Sequence, residues 1–197
     1  MVNLRKQGFV VRLRDGSRAH IRPVRSEDKN RIQCGMKLLS AESRYLRFFN
    51  DAQELSPKFL QYLTEVDQHD HVAWIAVNPD RAGEPGMGIA RFVRLSDEPH
   101  TAEIALTVVD EFQGLGLGAA LLNILLVRAE QLGIRTLRAV VLPENYTVVH
   151  WMRRLGATST LQDGLIELNL AVEGNNVPEL EPTRGLMHDM PALAVDG

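Results

Sequence analysis

The fold of this chain is decided by Asp110-Glu111-Phe112-Gln113-Gly114-Leu115-Gly116-Leu117-Gly118-Ala119. This stretch follows a strand-like run at residues 104–109 and precedes a long apolar helical run at residues 117–132. Glycine lets the main chain approach a ligand closely, and the N-terminus of a helix has a partial positive charge. A strand, a glycine-rich turn and a helix in this order therefore predict a site where backbone N–H groups bind a phosphate or pyrophosphate.

The composition indicates a single globular domain. Of the 197 residues, 45% are hydrophobic and 24% are charged, which is the balance of a chain that can bury a sizeable core. The formal net charge of −3 argues against a nucleic-acid groove or an anionic membrane surface. No apolar run reaches the roughly 18–20 residues of a membrane span, and residues 1–8 lack the apolar core of a signal peptide. The single cysteine, Cys34, excludes an internal disulfide, is expected to pack within a helix, and fits a cytoplasmic location.

Hydrophobic patterning divides residues 9–172 into strands and helices. Asp15-Gly16 between two alternating runs predicts a β-hairpin, and serine caps then predict three helices. The order does not repeat as a doubly wound fold does, so we expect an α/β class with a mixed, mostly antiparallel sheet flanked by helices. Residues 1–8 are assigned to an extension and residues 173–197 to an extended or disordered tail, with a lid or dimer arm as alternatives. The caps are Ser26, Ser40 with Ser43, and Ser56 before Pro57; later strands are expected at residues 72–77, 87–95, 101–109, 135–142, 157–161 and 165–170, and later helices at residues 117–132 and 144–155.

Two common phosphate-binding sites fit the glycine turn poorly. Gly114, Gly116 and Ala119 match the dinucleotide pattern G-x-G-x-x-[G/A]. That site also needs an acidic residue about 20 positions later for the ribose, whereas the next strand offers none before Glu144. A P-loop is excluded because no Gly-Lys-Ser/Thr follows the turn.

A third possibility rests on two motifs. Residues 113–118, Gln-Gly-Leu-Gly-Leu-Gly, match Q/R-x-x-G-x-G/A, the coenzyme A pyrophosphate loop of the GNAT acetyltransferases. Asn145 opens a later helix that Leu155-Gly156-Ala157 closes, similar to the second GNAT motif with Ala157 in place of the usual aromatic residue. With the order of elements, the chain resembles the GNAT family over residues 9–171, which implies that fold and acetyl-CoA as co-substrate, with no metal.

The resemblance is narrower still, to the Pat branch of bacterial protein lysine acetyltransferases. It implies transfer of acetyl to protein lysine side chains, with an acyl-CoA synthetase among the candidate substrates. Members of this branch often have a cyclic-nucleotide-binding or an acyl-CoA-synthetase-like domain; residues 1–8 alone precede the hairpin, so neither domain nor cAMP regulation is expected. The matching stretches are Leu13-Arg14-Asp15-Gly16-Ser17, Ile21-Arg22-Pro23, Ser43-Arg44-Tyr45-Leu46-Arg47-Phe48-Phe49, Glu54-Leu55-Ser56-Pro57 and Val66-Asp67.

The resemblance also assigns roles around the glycine turn. Glu103 aligns with the glutamate that the Pat branch uses as general base, and alternation places it on one strand face with Ala105 and Thr107. The alternative is an ordinary solvated glutamate near a strand start. The backbone of Val108 and Val109 is expected to pair with the pantetheine arm, one N–H polarising the acetyl carbonyl. The other coenzyme-binding residues are Gln113 as anchor of the turn; Gly114, Leu115, Gly116, Leu117, Gly118 and Ala119 around the pyrophosphate; and Asn145, which bonds the pantetheine, caps its helix, or does both.

The leaving thiolate has no evident acid in this sequence. Many GNAT enzymes protonate it with a tyrosine on the helix after the asparagine, but Met152 occupies that place here. The Pat branch commonly lacks this tyrosine, and the thiolate can leave as such or take a proton from water. Tyr146 lies in the first turn of the helix, on another face.

Several other polar residues support weaker hypotheses. Asp67 either lines the substrate side or caps a loop, and Arg44 and Arg47 either contact the substrate or only accompany packed aromatic residues. His69-Asp70-His71 could suggest a metal site, but alternating residues before a strand point in opposite directions, so no metal site is expected.

We therefore expect an acetyl-CoA-dependent N-acetyltransferase that modifies protein lysines by direct attack in a ternary complex. One alternative is an enzyme of the same fold that acetylates a small amine in a closed pocket. The other is a weakly catalytic, acetyl-CoA-binding regulatory module, which the missing tyrosine favours and Glu103 disfavours. The expected partners are acetyl-CoA and a protein lysine or small amine; nucleic acid and membrane are not expected.

Overall fold

A computed structural model describes residues 8–49, 53–81 and 83–174, and its centre is one eight-stranded sheet. The strands are β1 (Phe9–Arg12), β2 (Arg18–Pro23), β3 (His71–Val77), β4 (Gly86–Arg94), β5 (Thr101–Val108), β6 (Thr136–Val141), β7 (Thr158–Gln162) and β8 (Leu165–Ala171). Their order in the sheet is β1-β2-β3-β4-β5-β6-β8-β7. Every neighbouring pair is antiparallel except β5 with β6, so the predicted mixed, mostly antiparallel sheet is confirmed.

Five helices cover the two faces of the sheet. They are α1 (Lys29–Lys37), α2 (Ala41–Phe48), α3 (Pro57–Thr64), α4 (Leu117–Gln131) and α5 (Tyr146–Arg154). Helices α4 and α5 pack on one face, in the main core. Helices α1 and α3 pack on the other face, against Ala73 and Ile75 of β3. Phe48 at the end of α2 packs on this second face against Met36 and Leu39. The predicted tail and extension lie almost entirely outside the described residues.

Helix α4 is buried on most sides, as its nearly continuous apolar sequence predicted. It approaches β4 closely at Gly88, where an added Cβ would lie 3.1 Å from Leu121 Cδ1 and 3.0 Å from the carbonyl oxygen of Thr107. A larger residue would push the helix away from the strand. Gly88 therefore fixes the position of the helix that begins at the glycine turn.

The serine caps are partly as predicted. Ser40 Oγ accepts a hydrogen bond from the Ser43 N–H, and Ser56 Oγ accepts one from the Phe59 N–H, so these two caps are confirmed. The prediction for Ser26 is wrong, because this residue begins a single 3₁₀ turn and α1 starts only after it.

The expectation that Cys34 packs within its helix is also wrong. Helix α1 turns Ile32, Gly35 and Met36 toward the core, which leaves the Cys34 side chain exposed on another side. Gly35 lets α1 approach the sheet, since an added Cβ would lie 3.0 Å from the carbonyl oxygen of Gly86.

A buried ion pair fastens β2 to the turn before α1. Arg22 Nη1 and Nη2 each donate to a carboxylate oxygen of Asp28 at 2.7 Å, and the Asp28 residue is only 2% exposed. Burial by itself raises the pKa of Asp28, but hydrogen bonds from Arg22 and from the Arg25 backbone outweigh it and bring the pKa below its ordinary value. No helix in the part of the chain that the structure describes is both long and apolar enough to cross a bilayer.

Candidate active site

Strands β5 and β6 diverge beside the glycine turn. They pair only at the start of β5, over residues 101–103, whereas β5 pairs with β4 along residues 102–108. The edge of β5 that faces β6 therefore has no strand partner at residues 104–108. A wedge between the two strands opens toward the glycine turn.

The hydrogen bonds at the two ends of β5 show which residues face this wedge. The Leu95 N–H donates to the Thr101 carbonyl at 3.0 Å, and the Val109 N–H donates to the Met87 carbonyl at 2.9 Å. Backbone groups alternate between the two edges of a strand, so the odd-numbered residues of this run face β4. The backbone groups of the even-numbered residues 104, 106 and 108 accordingly face the wedge.

The structure corrects the expectation for Val109. Its N–H donates to Met87, and its carbonyl accepts from the Phe112 N–H at 2.8 Å, so both backbone groups are occupied within the chain. Val108 differs, because its N–H faces the wedge and its carbonyl accepts from Gln113 Nε2 at 3.1 Å. Of the two valines, Val108 is the one placed to offer an N–H to a ligand in the wedge.

The glycine turn presents a row of backbone N–H groups. Gly114 and Gly116 have φ values of +72° and +93°, which other residues adopt only with strain, and Gly116 directly precedes α4 without any side-chain cap. Among the described residues, no acceptor is found for the N–H groups of residues 114–119, while the Ala120 N–H already donates to the Gly116 carbonyl. Six free N–H groups at a helix N-terminus fit a pyrophosphate.

Side chains from two other elements brace the turn. Gln113 Nε2, besides bonding Val108, donates to Ser43 Oγ in α2 at 3.3 Å. Arg14, in the β1–β2 turn, donates through its backbone N–H to the Leu115 carbonyl at 3.1 Å and through Nη1 to the Gly114 carbonyl at 3.2 Å. The sequence analysis assigned Arg14 no role at the glycine turn, because the contact spans 100 positions and forms only in the folded chain.

Asn145 lies at the N-terminus of α5, where its Oδ1 accepts from the Val148 N–H at 3.3 Å. This is the capping geometry considered from the sequence, and it leaves the Nδ2 group free to donate. Met152 is 1% exposed within the main core, so this position offers no group to a reactant. Tyr146 is 76% exposed in the first turn of α5.

Glu103 is exposed and lies on the face of the sheet that α1, α2 and α3 cover in part. It pairs with Val93, and Thr107 pairs with Ile89 on the same face, as strand alternation predicted. Glu103 and Thr107 are four residues apart, or about 13 Å along the strand. A cavity on this face reaches the end of β5 and is lined by Arg31, Ile32, Gly35, Met36, Leu39, Arg47, Phe48, Leu55, Leu63, Ile75, Gly86, Gly88, Ile89, Arg91, Thr107 and Val109.

Three arginines, Arg31, Arg47 and Arg91, line this cavity. Arg47 Nε donates to Thr107 Oγ1 at 3.1 Å, and burial lowers the pKa of Arg47 although the charge of Glu103 opposes the shift. Arg91 is 5% exposed and lies 3.0 Å from His71 Nε2 through Nη1. Burial and then the charge of Arg91 lower the pKa of His71 to about 4, so this histidine is neutral at pH 7. The sequence analysis missed Arg91, whose signal is a charged residue inside an apolar strand run.

The structure also shows the surroundings of Arg44 and Asp67, for which the sequence left two roles open. Arg44 is buried and donates to the Leu39 carbonyl, so it does not line the cavity. Asp67 caps its loop, because Oδ1 accepts from the backbone N–H groups of His69 and His71 at 2.8 Å each. Within residues 8–49, 53–81 and 83–174, no three His, Cys, Asp or Glu side chains come together as metal ligands would.

The chain also resembles known proteins. A family model described as acetyltransferase (GNAT) domain matches residues 18–158. The acetyltransferase Pat of Mycolicibacterium smegmatis is 34% identical over 173 residues, which are 87% of this chain and 51% of that protein. The acetyltransferase PA5475 of Pseudomonas aeruginosa is 33% identical over 132 residues, covering 67% of this chain and 70% of the relative.

Among solved structures, the GNAT domain of S. lividans PAT superposes with a TM-score of 0.75 and 31% identity, over 83% of this chain and 96% of that one. This match supports the same arrangement of sheet and helices. The chain spans about half the length of the M. smegmatis relative, so it corresponds to one part of that protein.

Proposed function

This chain belongs to the GNAT family, and from that premise we propose that it is an N-acetyltransferase that transfers acetyl from acetyl-CoA to protein lysine side chains, with Glu103 as general base. The observation that carries the proposal is that β5 serves both reactants. Its even-numbered backbone groups face the wedge that leads to the free N–H groups, and its Glu103 and Thr107 side chains lie on the other face of the sheet, where Thr107 lines the cavity.

The glycine turn supports the part of the proposal that concerns acetyl-CoA binding. Six N–H groups without internal acceptors, next to the positive end of α4, suit the two phosphates of coenzyme A. The Val108 N–H and Asn145 Nδ2 are the donors available to the pantetheine arm. When bound, acetyl-CoA supplies the thioester; the chain supplies position and hydrogen bonds.

Attack by the acceptor amine requires a base that removes its proton. A lysine amine has an ordinary pKa near 10.4, so forming the neutral amine at pH 7 costs about 4–5 kcal/mol. Glu103 is the acid on the acceptor face of β5 and is exposed enough to take a proton. Glu103 can take the proton of the amine directly or through a bridging water.

Acetyl transfer with these groups involves one bond formed, one bond broken and two proton transfers. The amine nitrogen attacks the thioester carbon, so that a C–N bond forms and the C–S bond breaks. The nitrogen's proton passes to Glu103, and the coenzyme thiolate takes a proton from solvent. An N–H on the wedge side of β5 is the donor that would stabilise charge on the carbonyl oxygen. Met152 takes no part, since it is buried.

The test is acetyl-CoA turnover, followed as released thiol, with an acyl-CoA synthetase and a panel of small amines as acceptors. Acetylation of a synthetase lysine supports the proposal. Turnover only with small amines would move the function to metabolite acetylation, and tight acetyl-CoA binding without turnover on any acceptor would favour a regulatory module.

A further inference from the structure

The cavity on the acceptor face contains positive charge that the described residues do not balance. Among the described residues, neither Arg47 nor Arg91 has a carboxylate oxygen within ion-pair distance. Arg31, at the rim of the same cavity, has such a partner, since its Nε lies 3.6 Å from Asp28 Oδ1. The imbalance is therefore specific to Arg47 and Arg91, which we call the arginine subsite.

The Arg47 guanidinium is held in place at one nitrogen, and its terminal nitrogens can still donate hydrogen bonds. Its Nε is held by Thr107 Oγ1 at 3.1 Å, and its guanidinium carbon lies 4.9 Å from the centre of the Phe48 ring. Neither Nη group has an acceptor in the described part of the chain. A guanidinium held by one edge, with the terminal groups free, is oriented for a bidentate carboxylate.

Arg91 is surrounded by neutral partners. Its Nη2 donates to the Leu63 carbonyl at 3.1 Å, and its Nη1 donates to His71 Nε2 at 3.0 Å. Because arginine cannot accept, His71 Nε2 is unprotonated in this contact, which agrees with a histidine pKa of about 4. The ring of Tyr62 lies 4.8 Å from the His71 ring, and Tyr62 is half exposed.

The electrostatic cost of this arrangement points to an absent anion. Burial and then the charge of Arg47 lower the pKa of Arg91 to about 10, so both arginines remain charged at pH 7 while repelling each other. Within the described part of the chain, Glu103 is the one carboxylate whose charge acts on Arg47, which leaves two guanidinium groups for one acid. Buried charge without a partner is unfavourable, and a bound anion would relieve it.

We propose that Arg47 and Arg91 bind a carboxylate of the acceptor, so that the preferred substrate has a carboxylate within side-chain reach of its reactive amine. This inference rests on the proposed function, because it names the acceptor of the same active site. The acceptor is favoured over the acyl group as the source, since the arginines lie on the face of Glu103 rather than in the wedge.

The test compares acceptors that differ only in one charge. Two blocked tetrapeptides, Gly-Lys-Glu-Gly and Gly-Lys-Gln-Gly, form one pair, and β-alanine with β-alaninamide forms another. The ratio of kcat/KM for acid over amide is expected to be about tenfold in the wild type, the worth of one good bidentate contact. The ratio should fall to about one in Arg47→Gln. It should fall to an intermediate value in Arg47→Lys, which keeps the positive charge but loses the planar pair of donors that binds a carboxylate in a bidentate way.

The control is Arg81→Gln, an exposed arginine of the β3–β4 turn paired with Glu84, which should keep the wild-type ratio. A wild-type ratio of one, or a ratio that survives Arg47→Gln, overturns the proposal. A preference for succinyl-CoA over acetyl-CoA with the amide acceptors also overturns it, because the carboxylate would then belong to the acyl group.

Failure of the proposed function is recognised separately. If no acceptor is turned over, calorimetric titration of the two tetrapeptides into the protein with coenzyme A still decides the inference. Tighter binding of the glutamate peptide, lost in Arg47→Gln, supports the arginine subsite, and equal binding overturns it.

Discussion

Asp110 and Ser43 join the two halves of the candidate active site, because the Asp110 carboxylate accepts from Ser43 Oγ at 2.7 Å. Asp110 begins the 3₁₀ turn before the glycine turn, and Ser43 lies in the first turn of α2, the helix of Arg47. The backbone N–H and Oγ of Ser40 also donate to Asp110, at 2.9 Å each. The glycine turn and the helix of Arg47 are thus held together by one carboxylate.

Asp110→Ala is expected to lower the free energy of unfolding by about 1–3 kcal/mol, since it removes the acceptor of three donors around α2. Urea unfolding at pH 7 measures the change. Asp97→Ala, at an exposed loop residue, is the control and should stay within about 0.5 kcal/mol of the wild type. Equal losses of unfolding free energy in both variants would contradict a stabilising role for the contact between Asp110 and α2.

Asp28→Asn is expected to lower the free energy of unfolding by about 3–5 kcal/mol at pH 7, because Arg22 is left buried without a counter-charge. The effect should depend on pH with a defined sign. The folded-state pKa of Asp28 is depressed, so its stabilisation is present above the unfolded value near 3.9 and is lost as pH falls through the lower folded value.

Urea unfolding of the wild type and Asp28→Asn from pH 7 down to pH 3 checks this dependence. The gap between the two proteins should be constant at neutral pH and should narrow below about pH 4. A gap that widens on acidification would contradict the assignment.

Glu103→Gln is expected to lower kcat about 10²–10⁴-fold, because the variant cannot take the proton of the amine. The Kd of acetyl-CoA should be unchanged, since Glu103 lies on the acceptor face and not at the glycine turn. Steady-state kinetics and calorimetry separate the two effects. Glu130→Gln, an exposed glutamate at the far end of α4, is the matched control; wild-type turnover in Glu103→Gln would remove the general base from the mechanism.

Gly116→Asp is expected to raise the Kd of acetyl-CoA at least about tenfold, because it adds negative charge where backbone N–H groups await a pyrophosphate. Gly133→Asp is the matched control at the other end of α4, with a similar φ of +73° and open space around it. Both variants bear comparable backbone strain, so calorimetry should show weakened binding in Gly116→Asp alone. Unaltered affinity would refute the assignment of the loop.

Two substitutions separate the capping role of Asn145 from its proposed role in acetyl-CoA binding. Asn145→Asp keeps the oxygen that caps α5 and removes the Nδ2 donor, so it should preserve stability and weaken acetyl-CoA binding. Asn145→Ala removes both and should also cost about 1 kcal/mol of unfolding free energy. Unfolding and binding are measured on both variants; full affinity in Asn145→Asp would limit the residue to capping.

Local sequence determined most of the architecture. Asp15-Gly16 set the first hairpin, Ser56 with Pro57 began α3, and the apolar run after Gly116 produced α4, because each depends on neighbours along the chain. The Gly114–Gly116 spacing predicted an anion site for the same reason, and the structure places backbone N–H groups without an acceptor among the described residues there. The errors at Ser26 and Cys34 arose where a 3₁₀ turn shifted the helix start and where packing chose which side of α1 faces inward.

Tertiary structure alone decided the composition of the site. Arg47 comes from α2, Arg91 from β4 and Thr107 from β5, and only the packing of helices on one face of the sheet brings them around a single cavity. Hydrogen-bond register likewise decided that the Val109 N–H is occupied while that of Val108 faces the wedge. Sequence patterns report which residues share a face or a turn, but pairing across strands depends on long-range contacts, and these exist only in the folded chain.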